Sequence, residues 1–371
     1  MGVSHPLSVL TGGAGVGKTT VLKVIHEVCE RTGSFVRQMA LSGRAAQRMR
    51  EATGREASTI AKFLREAGEG KIDPRGDPLV IIDESSMLDL PLVFDLIRAL
   101  PESARLLLVG DPYQLPPIGF GLVFHVLANS PQVPRVELTR IHRQAQSTGI
   151  PQIACDLRRG IVPELPTFVG IAPGVSFIDA RGEQVIEWLD HVTEKLRRFE
   201  DVQILGVTKR GICGVKNINS VFHAIHAEAE GEQDGPVFVQ GDPVIYLAND
   251  YGKELWNGSL GRVEAVDYDA AKGKAIRTLS CQFEGVRHEI AEEDLTNIDL
   301  AYAITVHKAQ GSQFRRVVMP VIRSRLLDRS LLYTALTRGI EQVVFIGDRG
   351  AFRQSIKAPP TSQNRMVGFS L

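Results

Sequence analysis

The chain has 371 residues, of which 43% are hydrophobic and 23% charged; that length exceeds one ordinary core and suits two or three domains. The balance excludes a disordered or low-complexity polymer. Lysine plus arginine equals aspartate plus glutamate at 43 each, so a globally basic nucleic-acid binder is excluded and any polyanion site must be a local patch.

Arginines do cluster locally, at Arg44, Arg48 and Arg50, at Arg140 and Arg143, and at Arg315 and Arg316; solvated helix faces are the ordinary reading of such groups. The four cysteines, Cys29, Cys155, Cys213 and Cys281, form no C-x-x-C pair, which argues against a zinc knuckle or a disulfide framework. Residues 1–10 lack a basic stretch followed by a long apolar one, and no apolar run approaches a membrane span. A cytoplasmic chain with no membrane partner is expected.

In chain order, apolar runs at 7–10, 36–41, 79–82 and 106–109 alternate with amphipathic stretches, a rhythm that predicts a parallel sheet covered by helices. The rhythm returns at 202–207, 317–321 and 343–346, with 182–199 and 330–338 read as helices, so a second α/β domain is expected. Between residues 236 and 297 short strands punctuated by Gly241-Asp242-Pro243, Asn257-Gly258 and Lys272-Gly273 predict a small all-β module inserted in the second domain. The expected division is 1–139, 140–235, 236–296 and 297–371, ending in a loose tail near Pro359 and Pro360.

The chemistry begins at Gly12-Gly13-Ala14-Gly15-Val16-Gly17-Lys18-Thr19, which matches G-x-x-x-x-G-K-[ST] between an apolar strand and a helical pattern. Glycines let backbone N–H groups wrap phosphates, Lys18 reaches the terminal ones, and the Thr19 hydroxyl is suited to magnesium. Thr20 continues the same turn. Val80-Ile81-Ile82-Asp83-Glu84 places two carboxylates at a buried strand end, the Asp for Mg²⁺ and the Glu for a water. Gln114, after Gly110-Asp111, is suited to sensing a γ-phosphate. Arg143 and Arg338 are the candidate cations for charge that builds on that phosphate, with Arg338 placed on the predicted 330–338 helix.

Taken together, LTGGAGVGKTT, LSGRAAQRM, ASTIAKFL, VIIDESSM, VGDPYQLPP, TRIHRQ, ITVHKAQGSQF and LLYTALTRG resemble the ordered motifs of superfamily 1 DNA helicases, most closely the RecD-like and Dda-like branch. The resemblance runs from about residue 7 to 350. It implies two RecA-like P-loop domains with parallel sheets, an SH3-like insertion at about 236–296, and ATP with Mg²⁺ in a cleft served by Lys18, Thr19, Asp83, Glu84 and Gln114, with Arg143 and Arg338 reaching in. Gln313 occupies the position of a glutamate that contacts the nucleotide.

The resemblance also implies a DNA track through Ser42, Arg44, Thr59, Arg210, Asn219, Asn257, Thr305, His307 and Lys308. Such groups grip phosphates without reading bases. The implied activity is an ATP-dependent helicase or translocase on single-stranded DNA or tailed duplex, running 5′ to 3′ as a monomer; the alternative is a nucleic-acid-stimulated ATPase that loads or scaffolds without unwinding. Tyr251 and Trp256 read as base-stacking platforms or, more ordinarily, as module core. The segment 66–77 lies where relatives carry a strand-splitting pin and is short here.

Three positions depart from the family pattern. Gln313 replaces a glutamate and Ala61 a histidine. Only eleven residues precede Gly12, which leaves no room for the upstream glutamine motif that reads adenine; the expectation is a truncated chain, a fragment of a longer protein or a minimal helicase.

Overall fold

The computed structural model describes residues 4–72, 78–140, 147–197, 201–231, 237–250, 252–268, 276–365 and 367. By its contacts the chain divides into two units, the first of residues 1–163, 328–337 and 356–371, the second of 164–327 and 338–355. Arg143, Tyr251 and residues 73–77 of the expected pin lie outside the described residues.

In the first unit, strands β1 (Leu7–Gly12), β2 (Val36–Ala40), β3 (Ala57–Thr59), β4 (Leu79–Asp83), β5 (Arg105–Gly110) and β6 (Arg135–Leu138) form one sheet in the order β3-β2-β4-β5-β1-β6. Every pairing is parallel. Alternate residues of such a strand face opposite sides, and both sides here are covered, which is why β4 and β5 contain the unbroken apolar runs Leu79–Ile82 and Leu106–Val109. Val9, Val80, Ile82 and Leu108 meet Ile60, Phe63, Val93 and Leu96 from the helices Ile60–Gly68 and Leu90–Ala99 on one face. Leu10, Ile81, Leu107 and Val109 meet Leu22, Cys29 and Met49 from the helices Lys18–Arg31 and Gly43–Thr53 on the other.

The second unit repeats the scheme. Strands β7 (Gly174–Asp179), β8 (Val202–Gly206), β14 (Ala303–Thr305), β15 (Phe314–Val321) and β16 (Gly339–Gly347) form a parallel sheet ordered β14-β8-β15-β16-β7. Its core joins Ile204, Val318, Val344 and Ile346 to Val185, Leu189 and Val192 of the helix Gln184–Lys195 and to Ile218 and Phe222 of the helix Val215–Ala229. The mixed α/β architecture with two parallel sheets is the one expected for two RecA-like domains.

Between the helix Val215–Ala229 and β14, strands β9 (Pro243–Tyr246), β10 (Leu260–Tyr268), β11 (Ile276–Phe283), β12 (Val286–Ala291) and β13 (Ile298–Leu300) make the expected all-β insertion. They pair antiparallel in the order β12-β11-β10-β9-β13. Tyr246 and Phe283, edge to face with centroids 6.1 Å apart, anchor its core. Trp256 is only half-buried and lies outside that core, so tryptophan does not fill the interior that the ordinary reading assigned to it.

Asp242 ties the insertion to the sheet domain. Its carboxylate, fully buried, accepts from the Val239 amide at 2.8 Å, from the Tyr302 hydroxyl, and sits 3.0 Å from His223 Nδ1. Gly241 precedes it with φ +90, and a side chain there would meet His226 Nε2 at 2.9 Å. A buried carboxylate stripped of its partners costs more than the hydrogen bonds themselves contribute. Asp242→Ala is expected to destabilise the second unit by about 3 kcal/mol, read as a lowered thermal midpoint with the nucleotide site of the first unit still intact; an unchanged midpoint would remove Asp242 from this role.

Candidate nucleotide site and nucleic-acid interface

The carboxyl ends of parallel strands carry the polar groups that the sheet interior excludes. β1 ends at Gly12 and the helix beginning at Lys18 follows after a loop in which Gly15 and Gly17 have φ +74 and +85. That left-handed backbone aims successive amides inward, and the helix N-terminus adds a favourable field for anions. Lys18 Nζ donates to the carbonyls of Gly12 at 2.7 Å and Gly13 at 3.0 Å, folding the ammonium over the loop it serves. Ala14 is half-buried, Val16 buried, and Thr19 and Thr20 are exposed on the first helical turn.

β4 delivers Asp83 at its last position, and Glu84 follows with φ 52 and ψ 36. A left-handed backbone in a residue with a Cβ costs free energy, is held by its surroundings and recurs at functional sites. The Asp83 carboxylate accepts the Glu84 amide at 2.9 Å, which orients the first carboxylate and turns the second away from the strand direction. Thr19 hydroxyl and Asp83 carboxylate are hard oxygen donors of the kind Mg²⁺ takes when phosphates complete its shell. Among the described residues no three His, Cys, Asp or Glu side chains form a metal cage of their own.

β5 ends at Gly110, and the turn after it buries Asp111 and Gln114. Asp111 accepts the Tyr113 amide at 3.1 Å and the Tyr333 hydroxyl at 2.6 Å. Tyr333 lies on the helix Arg329–Leu336, which belongs to the first unit by its contacts, and Thr334 of the same helix accepts the Leu115 amide at 2.9 Å. A Cβ on Gly13 would come 3.0 Å from the Tyr333 hydroxyl and 3.5 Å from Arg158 Nη1. Asp111, Tyr333 and Arg158 therefore border the phosphate loop. None of the three was singled out in the sequence; the Gly-Asp and Leu-Tyr-Thr-Ala strings contain two of them, but no local pattern marks Arg158.

Arg338 is not on the helix where the sequence placed it. The helix ends at Leu336, and Arg338 immediately precedes β16, whose register pairs Phe314 with Gly339. It is buried, with Nη1 donating to the Ser312 carbonyl at 3.2 Å and its own carbonyl accepting the Phe314 amide. Within the same unit Gln310 is buried, with no partner among the described residues for either end of its amide, and Gln313 is exposed.

Two of the expected DNA contacts, Thr59 and Thr305, end strands, and others follow strand ends closely. In the first unit Ser42 follows β2 and caps the helix Gly43–Thr53 by accepting the Ala45 amide at 3.2 Å; Thr59 ends β3 and caps the helix Ile60–Gly68 by accepting the Lys62 amide at 3.0 Å. Arg44 is half-buried on the first turn after Ser42. In the second unit Thr305 ends β14 and accepts the Lys308 amide at 3.2 Å, with His307 half-buried beside it. Lys308 is also half-buried, and burial pushes its ammonium below the usual lysine range, with nearby Lys209 adding to the effect against the opposing pull of Asp299.

Arg210 and Asn257 are exposed. Asn219 is different, because its amide is committed inside the protein: Nδ2 donates to the Leu300 carbonyl and Oδ1 accepts the Ala303 amide, both at 2.7 Å. It braces the helix Val215–Ala229 against the chain re-entering from the insertion.

Two family profiles match the chain, one described as an AAA domain over residues 2–169 and one as a UvrD-like helicase C-terminal domain over residues 300–346. The chain is 35% identical over 358 residues to the ATP-dependent RecD2 DNA helicase of Deinococcus radiodurans, covering 94% of this chain and 48% of that protein. It is 29% identical to the RecBCD enzyme subunit RecD of Mycolicibacterium smegmatis, covering 96% of this chain and 71% of that one. It thus spans about half the length of the RecD2 protein. The crystal structure of the Pif1 helicase from Bacteroides with ADP-AlF3 and ssDNA shares the fold at a TM-score of 0.60 and 20% identity, over 98% of this chain and 93% of that one. Its ordered motifs are carried on two parallel sheets, and through 94% of its length the chain is similar to a RecD2 DNA helicase, with the two profiles described above matching its N-terminal and C-terminal parts.

Proposed function

We propose that the chain is the motor core of an ATP-dependent DNA helicase or translocase that moves 5′ to 3′ on single-stranded DNA or tailed duplex. The observation that carries this reading is the phosphate loop at the end of β1 with Glu84 held in a left-handed turn at the end of β4, in a chain that resembles the RecD-like branch. The functional division we propose is 1–139, 140–235, 236–296 and 297–371. The direction rests on family resemblance alone.

In the chemistry we assign, Lys18 leaves the Gly12 and Gly13 carbonyls to neutralise the terminal phosphates, and the loop amides hold the rest of the triphosphate. Mg²⁺ held by Thr19 and Asp83 supplies further charge neutralisation when bound. Glu84 accepts a proton from the attacking water, and Gln114 positions that water or senses the γ-phosphate. Ser42, Arg44, Thr59, Thr305, His307 and Lys308 contact the DNA backbone through hydroxyls, amides and cations, so binding is weakly dependent on sequence.

Strand displacement on duplexes with a 5′ or a 3′ tail tests activity and direction together. The 5′-tailed duplex is expected to unwind; unwinding of the 3′-tailed one alone reverses the direction, and oligo-dT-stimulated hydrolysis without any unwinding favours a loader. In steady-state assays on oligo-dT, Lys18→Ala and Glu84→Gln should each lower turnover by about 10² or more. They differ in binding, since Glu84→Gln retains ATP and Lys18→Ala weakens it. Hydrolysis by Glu84→Gln at the parent rate would refute the base assignment.

Each phosphate neutralised on a single strand contributes about −0.7 to the slope of log affinity against log salt. Lys308→Ala is accordingly expected to weaken oligo-dT binding and flatten that slope by up to about one contact. Equal affinity and slope in the two proteins would return Lys308 to an ordinary half-buried lysine.

A further inference from the structure

Beside the helix Val123–Asn129 the first unit contains a cavity of about 640 Å³. Arg158, Arg329 and Arg365 line it, and among the described residues its lining holds no aspartate or glutamate. Three cations in a wall that holds no carboxylate are unusual in a chain whose charges balance at 43 each, although Arg158 also faces Glu137 outside that wall.

Two of these guanidiniums are fixed by backbone carbonyls. Arg329 Nε donates to Ile356 at 2.7 Å and Nη2 to Lys357 at 3.2 Å, while Arg365 Nη1 donates to Pro117. A carbonyl orients a guanidinium without cancelling its charge, so both remain electrostatically open to an anion. Arg158 stacks 4.0 Å over the Tyr113 ring and pairs with Glu137 at 3.5 Å, with Asp111 also acting on its charge, so Arg329 and Arg365 are the cations of the wall that carry no carboxylate partner among their described contacts.

His125 completes the wall. Among the described residues both of its ring nitrogens are buried without a hydrogen bond of ordinary geometry. Burial pushes the imidazole down to about 4, opposed by the Pro112 backbone and reinforced by the charge of Arg365. At neutral pH it is therefore an uncharged ring with an N–H to donate, and a buried polar group of this kind needs a partner. Leu122, Val126 and the prolines of the lining add apolar surface.

We propose that this cavity is a second ligand site, next to the triphosphate loop and sharing Arg158 with its border, that binds a phosphate ester of nucleotide size. Arginine forks suit phosphate oxygens, the apolar wall and Tyr113 suit a planar ring, and the volume lies in the range of small-molecule sites. An anion placed here favours the charged imidazole and raises the His125 pKa from its depressed value.

The test uses the full chain carrying Lys18→Ala, so that the triphosphate loop does not supply the signal, with labelled histidine side chains followed by NMR. AMP, inorganic pyrophosphate and inorganic phosphate are the probes, and His125 is assigned from its absence in His125→Gln. AMP is expected to shift the His125 ring resonances saturably and to raise its pKa. Arg365→Ala, at an exposed position, should weaken AMP by about tenfold or more, with Arg365→Lys falling between. Resonances of His125 unmoved by AMP, or equal affinity in Arg365→Ala, overturn the site. Inorganic phosphate binding as tightly as AMP overturns the assignment to a ligand of nucleotide size. Because the readout is binding in a protein without its loop lysine, it stands or falls independently of ATP hydrolysis and unwinding.

Discussion

A strand hydrogen-bonded on both edges and covered on both faces admits a polar side chain along its length only where a buried partner meets it, as Gln38 is met by His26 and Thr53, and leaves most polar groups to its ends. That constraint organises both parallel sheets of this protein. In the first unit Val80, Ile81 and Ile82 are all fully buried, and the next two residues are Asp83 and Glu84. The same step from apolar run to functional group occurs from Leu10 to the glycine loop, from Val109 to Asp111, and in the second unit from Ile304 to Thr305. Parallel connectivity then matters because it sends every carboxyl end to one edge of its sheet, where helix N-termini also begin.

The polar groups at those edges hold one another before any ligand arrives. Lys18 is held by two loop carbonyls, Asp83 by the amide of Glu84, Asp111 by Tyr333 and the Tyr113 amide, and Ser42 and Thr59 by the helices they cap. A phosphate that binds must exchange for such contacts, so its net gain is smaller than the sum of its new hydrogen bonds. The same accounting explains why Asn219, with both ends of its amide satisfied at 2.7 Å, acts as a brace.

Asp242 and Tyr246 show how an insertion is accommodated. The module has its own apolar interior around Tyr246 and Phe283, so it adds no demand on the core of the sheet it interrupts. Its attachment instead depends on buried polar geometry at Asp242, reached from His223, Val239 and Tyr302. Such geometry is directional where apolar packing is not, and it fixes orientation at the junction.

The residues that a single stretch of chain defines were legible from the amino-acid sequence alone. The glycine loop, the Asp83-Glu84 pair, the two α/β rhythms and the antiparallel insertion each follow from local spacing or from the period of apolar residues, which backbone geometry imposes within a few positions. The end of the helix at Leu336, which leaves Arg338 beside a strand, was not legible, because the register of β15 with β16 decides it. Nor could the sequence bring Arg158, Asp111 and Tyr333 to the phosphate loop or gather Arg158, Arg329, Arg365 and His125 around one cavity. Those groupings join positions more than 200 residues apart, for example Asp111 and Tyr333, and only the closing of the chain in three dimensions brings them within reach of one another.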